Sequence, residues 1–247
     1  MIAGTRRGDG EAPPRALPGI GLDAEQVARF DKLASGDKPW RLVYSAREAG
    51  HLAAQPHAAR AFCAAFCCKE AFCKALGEAY SFPELECLYR AGAPQQQIVL
   101  APGFRERHGI GAMRVSIDEQ FLAERGECVV EVYLIPAAGS RLESLPVASI
   151  AADRSRVEEE HFTPREIADL GSRRAQSLAG ALALKCALVA LWGDAGAAAA
   201  PRDFELGHHA SGAPRLVAAP RGVALAEVFV SISHTRQWAY GLAAVAG

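Results

Sequence analysis

The chain has 247 residues, half of them hydrophobic and 22% charged, with a formal net charge of -1. A chain of this size can bury one large core or two small ones. The balanced charge excludes a strong nucleic-acid-binding field, so no nucleic acid partner is expected, and the composition excludes disordered and fibrous classes.

Residues 1–17 carry charge, Gly and Pro but no apolar run of the secretory kind, and they read as a disordered leader. Gly19 to Glu25 reads as a strand, followed by a helical pattern with Val27, Phe30 and Leu33 on one face. Ser45 with Glu48 three residues later forms a capping box that opens a helix. Ala58 to Leu76 is a long run of helix formers that ends at Gly77, a C-cap glycine. Ile98–Leu100, Met113–Ile117 and Cys128–Ile135 read as strands, and Pro136 to Ser144 reads as a turn-rich joint.

After that joint the order of elements returns. Val147–Ala151 reads as a strand with an acid after it at Asp153, and Thr163 with Glu166 repeats the capping box ahead of a second alanine-rich helix. Lys185-Cys186-Ala187-Leu188 occupies the place of Lys69-Glu70-Ala71-Phe72. Ser211-Gly212-Ala213-Pro214 matches Ala91-Gly92-Ala93-Pro94, and Val230-Ser231-Ile232 matches Val115-Ser116-Ile117. Landmarks repeated in one order indicate an internal duplication. The expected fold is α+β, a pseudo-dimer of two similar halves, 18–138 and 146–247, each a small antiparallel sheet packed on helices.

Of the seven cysteines, Cys63, Cys67, Cys68 and Cys73 crowd into one helical segment. Without a secretory signal or ligand-like spacing, reduced thiols in a cytoplasm are expected rather than disulfides or zinc. The apolar stretch Leu178–Trp192 is interrupted by Lys185 and falls short of the roughly 20 residues of a membrane span. It reads as a buried helix, with no membrane partner.

Side chains two apart on a strand share a face, so Asp23 and Glu25 can share one cation. Glu70 and Lys74, one helical turn apart, add a third carboxylate and an ammonium. Each feature alone is equally an acid-capped strand end or a surface ion pair. Together, three carboxylates suit magnesium, a hard cation that keeps open positions for phosphate oxygens. Val230-Ser231-Ile232-Ser233-His234-Thr235 alternates apolar and hydroxylic residues up to a histidine, a strand end that can donate several hydrogen bonds to phosphate. A nucleophilic serine is disfavoured there, because no glycine-flanked elbow accompanies it.

These motifs resemble the phosphopantetheinyl transferase superfamily, and in element order its short holo-acyl-carrier-protein synthase branch. Gly19-Ile20-Gly21-Leu22-Asp23, Lys69-Glu70-Ala71-Phe72-Cys73-Lys74 and Val230 to Thr235 look like its three signatures, spread over almost the whole chain beyond the leader. The size is similar to the longer surfactin-type enzymes, which join two such units. Those carry the Ser-x-Ser-His segment first and the acids second, whereas here the acids come first, as in an independent fusion of two short-branch units.

The resemblance implies a transfer of 4'-phosphopantetheine from coenzyme A to a serine of an acyl or peptidyl carrier protein, with Mg2+ as cofactor, in fatty acid or polyketide biosynthesis. By position, it implies that Asp23, Glu25 and Glu70 hold the metal, that Glu70 also helps to deprotonate the serine, and that Lys74 neutralises phosphate. Ser233, His234 and Thr235 then bind the coenzyme phosphates, the turn Gly212, Pro214 and Arg215 lies beside the adenine, and Arg60 is a basic coenzyme contact. Ala65 departs from a position often held by arginine. Cys186 and Ala190 replace the glutamate and second lysine, and Asp118 stands where a histidine is needed, which leaves one site in a monomeric pseudo-dimer. Arg29, Lys32, Lys38 and Arg41 gather positive charge where the family's helix meets the carrier. A non-catalytic coenzyme A-binding scaffold is the alternative, favoured by the decay of half the motifs.

Overall fold

A computed structural model describes residues 19–35, 41–89, 96–169, 174–194, 198–220 and 224–247. The expected leader, Lys38 and the Ala91–Pro94 turn lie outside the described residues. In the first half the order is β1 (Ile20–Gln26), α1 (Asp31–Ala34), α2 (Ala46–Ala53), α3 (Ala58–Leu76), β2 (Leu85–Tyr89), β3 (Gln96–Leu100), α4 (Phe104–Arg107), β4 (Ser116–Leu122) and β5 (Glu127–Tyr133). The second half runs β6 (Ala137–Pro146), α5 (Val147–Ala152), α6 (Arg154–His161), α7 (Pro164–Asp169), α8 (Arg174–Asp194), β7 (Glu205–His208), β8 (Pro214–Ala218), β9 (Val228–His234) and β10 (Trp238–Ala246).

Each half builds an antiparallel three-stranded sheet, β1-β5-β4 and β6-β10-β9, and a two-stranded ribbon, β2-β3 and β7-β8. The fold is thus α+β in two similar halves. A long helix packs on each sheet, α3 on β1 and β5, α8 on β10 and β6. The approach is close enough to require glycine. A Cβ on Gly21 would lie 1.8 Å from the Ala71 carbonyl oxygen, and one on Gly241 would lie 2.1 Å from the Leu184 nitrogen. Two cores form between helix and sheet, and a third, with Leu22, Ala24, Val129, Tyr240 and Leu242, forms between the sheets.

Both capping boxes are present, and each serves a second purpose. Glu48 of the Ser45 box accepts from the Cys87 backbone N–H (2.8 Å) and pairs with Lys69 (3.0 Å). Glu166 of the Thr163 box accepts from the Leu206 N–H (2.9 Å) and pairs with Lys185 (2.8 Å). Both lysine side chains are wholly buried. Each sits over an aromatic ring, Lys69 over Tyr44 at 5.8 Å and Lys185 over Phe162 at 4.6 Å. Such a pair ties the helix to the ribbon beside it, because a buried charge needs both its partner and further hydrogen bonds. Burial pushes the Glu48 carboxyl up against the pull of Lys69, and burial pushes the Lys185 ammonium down.

Three expectations are corrected. The stretch from Pro136 to Ser144, read as a turn-rich joint, is mostly strand β6, which pairs with β10 with Leu142 opposite Leu242. The second sheet therefore starts at Ala137, ahead of 146. Val147–Ala151, read as a strand, lies in helix α5, since a short apolar run fits either state and neighbours decide. Asp153 caps no strand; it pairs with Arg156 at 2.7 Å on the surface. The helix expected after Asp23 is a 3-10 turn, Val27–Phe30, followed by the four-residue α1.

Helix α8 is long and apolar enough over Ala175–Gly193 to cross a membrane by composition, but most of that window is buried inside the protein. The seven cysteines are all free thiols. Burial raises the Cys63 thiol well above its ordinary range and pushes that of Cys67 up to about 12, which makes both inert packing groups.

Candidate active site

The halves meet where two sheet edges come side by side. Strand β1 has β5 on one side only, so its outer backbone N–H groups need other partners. Serines of β9 supply them: Ser231 Oγ accepts from the Leu22 N–H (3.0 Å) and Ser233 Oγ from the Ala24 N–H (3.2 Å). Alternation along β9 aims both hydroxyls at this seam. Ser233 Oγ also donates to Asp23 Oδ1 at 2.9 Å.

A second polar network closes the seam from behind. Glu127, fully buried, accepts from Gln26 Nε2 (2.5 Å), Thr235 Oγ1 (2.7 Å) and the Tyr240 hydroxyl. Thr235 Oγ1 also accepts from the backbone of Gln237 (3.2 Å) and Trp238 (3.0 Å), and so fixes the β9–β10 turn. Arg125 lies over the Trp238 ring at 3.5 Å. Buried and mutually satisfied, these groups fix one relative placement of the halves.

In front of the seam opens a cleft of about 910 Å³. Its first-half wall carries Asp23, Glu70, Lys74 and Glu78 with Tyr80 and Phe82, and its second-half wall carries Gln176, His208, Gly212, Pro214 and the β9 residues Ser231, Ser233 and His234. Polar groups from both halves thus converge on a cavity with an aromatic floor, an arrangement typical of ligand sites. Lys74 Nζ donates to Asp23 Oδ1 (2.8 Å) and to the Leu22 carbonyl (2.8 Å), and lies 3.4 Å from the Ile232 carbonyl. Burial, then the charges of Asp23 and Glu25, push the Glu70 carboxyl above its ordinary value, with Lys74 pulling the other way.

Glu25, expected beside Asp23 in the cation site, does not line the cleft; its carboxylate pairs with the Arg29 guanidinium. Among the described residues, no three His, Cys, Asp or Glu side chains are gathered tightly enough to hold a metal ion. Asp23 and Glu70, which both line the cleft, offer the carboxylate oxygens that suit a hard cation whose other positions are filled by water and phosphate.

Of the expected coenzyme contacts, His234 is exposed in the cleft, and Gly212 and Pro214 line it, with Gly212 at φ 83° in the left-handed region. Ser233 lines it too, although its hydroxyl is engaged in the seam. Thr235 is buried with Glu127, behind the cleft. Arg215 is not among the lining residues. Arg60 lies elsewhere, its guanidinium 4.5 Å from the Phe121 ring. Nine residues separate Arg60 from Lys69, and the same spacing before Lys185 falls on Gln176; Ala65 corresponds in the same way to Ala181. Gln176 and Ala181 line the cleft, so the second half supplies this wall. The duplication was the signal that could have identified them.

The equivalent place on the second half is chemically different. Cys186 is half-buried, and burial, then the charge of Glu143, pushes its thiol up; Glu143 lies on β6, which takes the edge place in its sheet that β1 takes in the first, whereas Asp153 lies between α5 and α6. Asp118 of β4 is exposed.

Residues 19–110 match the sequence model of the 4'-phosphopantetheinyl transferase superfamily, the part of the chain that holds Asp23, Glu70 and Lys74. No curated protein matches the chain. Among solved structures, the holo-acyl-carrier-protein synthase of Helicobacter pylori in complex with coenzyme A is 19% identical with a TM-score of 0.38; the alignment covers 44% of this chain and 100% of that one. The Mycobacterium tuberculosis acyl carrier protein synthase is 27% identical with a TM-score of 0.36, covering 45% and 99%. The Bacillus anthracis holo-acyl-carrier-protein synthase, in complex with CoA (3',5'-ADP), is 21% identical with a TM-score of 0.37, covering 45% and 97%.

Proposed function

We propose that this chain transfers 4'-phosphopantetheine from coenzyme A to a serine of an acyl or peptidyl carrier protein and releases adenosine 3',5'-bisphosphate. The observation that carries this reading is the cleft in which Asp23, Glu70 and Lys74 of one half face Ser233 and His234 of the other. It acts as a monomeric pseudo-dimer in the cytoplasm, where its seven free thiols stay reduced.

In this reading the pyrophosphate of coenzyme A lies at the Asp23–Glu70–Lys74 end. Asp23 and Glu70 would hold magnesium, which when bound supplies charge neutralisation at the phosphate oxygens. Glu70 takes the proton from the attacking serine, and its raised proton affinity brings it closer to the working pH of a general base. The serine oxygen bonds to the phosphorus nearest the pantetheine, the anhydride P–O bond breaks, and its electron pair leaves on adenosine bisphosphate. Lys74 and His234 offset the charge on the phosphates by charge-assisted hydrogen bonds. Ser233 orients Asp23, and Thr235 braces the strand end that presents His234.

A second reading, a coenzyme A-binding scaffold without turnover, is favoured by one observation: Gln176 and Ala181 offer no charge to the nucleotide on the second-half wall. Mass spectrometry of apo carrier proteins incubated with coenzyme A, magnesium and this protein separates the two. The transferase adds one phosphopantetheine to the carrier. Coenzyme binding with no mass gain on any carrier supports the scaffold.

A further inference from the structure

Lys74 is held by oxygens from both halves. Its ammonium donates to Asp23 Oδ1 and the Leu22 carbonyl of β1, and the Ile232 carbonyl of β9 is 3.4 Å away. A positive charge amid carboxylate and carbonyl oxygens occupies the kind of environment that a hard divalent cation also selects. A second cation competes with the ammonium for Asp23, because like charges a few ångströms apart repel strongly in a partly desolvated site.

The two partners differ in freedom. The Lys74 side chain is 33% exposed and that of Asp23 only 11%. Asp23 is fixed on a sheet strand and braced by Ser233, whereas Lys74 sits on the cleft face of α3 at the end of a flexible four-carbon stem. The lysine is therefore the partner that can leave without unpacking a core.

We propose that Lys74 is the resident counter-cation of Asp23, which a divalent cation displaces, so that cation entry moves the ammonium from carboxylate to substrate phosphate. This rests on the reading of the cleft given above. It makes Lys74 a competitor for the cation as well as a phosphate ligand. A lysine that stayed away from Asp23 and served only as a phosphate ligand would not oppose cation binding.

The test is Mn2+ binding to the full chain, followed by electron paramagnetic resonance, without coenzyme A or carrier protein. Lys74→Met should bind Mn2+ about fivefold more tightly than the wild type, the size expected from a partly exposed ion pair. Lys74→Gln, which keeps a donor for the Leu22 carbonyl, should tighten binding as well, and thermal melts of both variants establish that they are folded. Lys32→Met, which removes an exposed charge elsewhere, should leave binding unchanged, and Asp23→Asn should lose it. If Asp23→Asn loses binding while both Lys74 variants bind as wild type or more weakly, displacement is refuted and the metal reading stands. Equal tightening in Lys32→Met refutes it too, by reducing the effect to net charge. No Mn2+ bound by the wild type overturns both.

Discussion

Helices α3 and α8 share a scaffold and differ in chemistry. Each buries a lysine against the glutamate of a capping box, and each is approached closely by a glycine of the sheet beneath. The residue after the lysine is Glu70 in one and Cys186 in the other, and the next turn brings Lys74 in one and Ala190 in the other. The buried lysine belongs to the fold, and the positions that follow it carry the proposed function. A lysine within a signature motif can therefore be structural, as Lys69 is.

That distinction can be broken most forcefully at the buried pairs. Lys69→Met and Lys185→Met should each destabilise the protein by about 3–5 kcal/mol, because each strands a buried carboxylate, with urea unfolding as the measurement. A large cost at only one of them would mean that the two halves do not share this scaffold.

Glu70→Gln should lower transfer about 100-fold, the scale of a lost general base, in carrier-loading assays at saturating magnesium. Stability should move the other way. A carboxyl whose affinity for protons is raised by folding adds stability below its unfolded value, and that gain is lost as pH rises through its folded value. Since Glu70 is raised, the glutamine variant should match the wild type or exceed it at neutral pH and lose that advantage in acid. Near wild-type turnover would remove Glu70 from the mechanism.

A smaller effect is expected at the proposed carrier-docking face. Lys32→Glu should raise KM for the carrier about threefold and weaken its salt dependence, with coenzyme A binding unchanged, since rim charges mainly steer encounter. Arg29→Glu is less clean, because Arg29 holds Glu25. No change in KM for Lys32→Glu would make this face plain solvated surface.

The sequence made local features legible. Helix α3 spans the expected residues and ends at Gly77 in the left-handed conformation, and both capping boxes form. These rest on contacts a few residues apart. What stayed hidden depends on distant partners. Strand β6, rich in Ala, Ser and Gly, is a strand because β10 pairs with it almost 100 residues later. Thr235 looked like a phosphate ligand beside His234, yet a partner in the other half, Glu127, draws its hydroxyl into the seam. The spacing before Lys69 points to Arg60 in the half that holds the acids, while the cleft wall facing those acids comes from the other half, at Gln176.

One cleft, built by both halves, is the proposed coenzyme site, while the counterpart around Cys186 and Glu143 is not one. Calorimetric titration of the wild type with coenzyme A measures this directly. A stoichiometry near one per chain is expected, staying near one in Cys186→Glu, because Ala190 there leaves no ammonium to offset phosphate. A value near two in the wild type would contradict it.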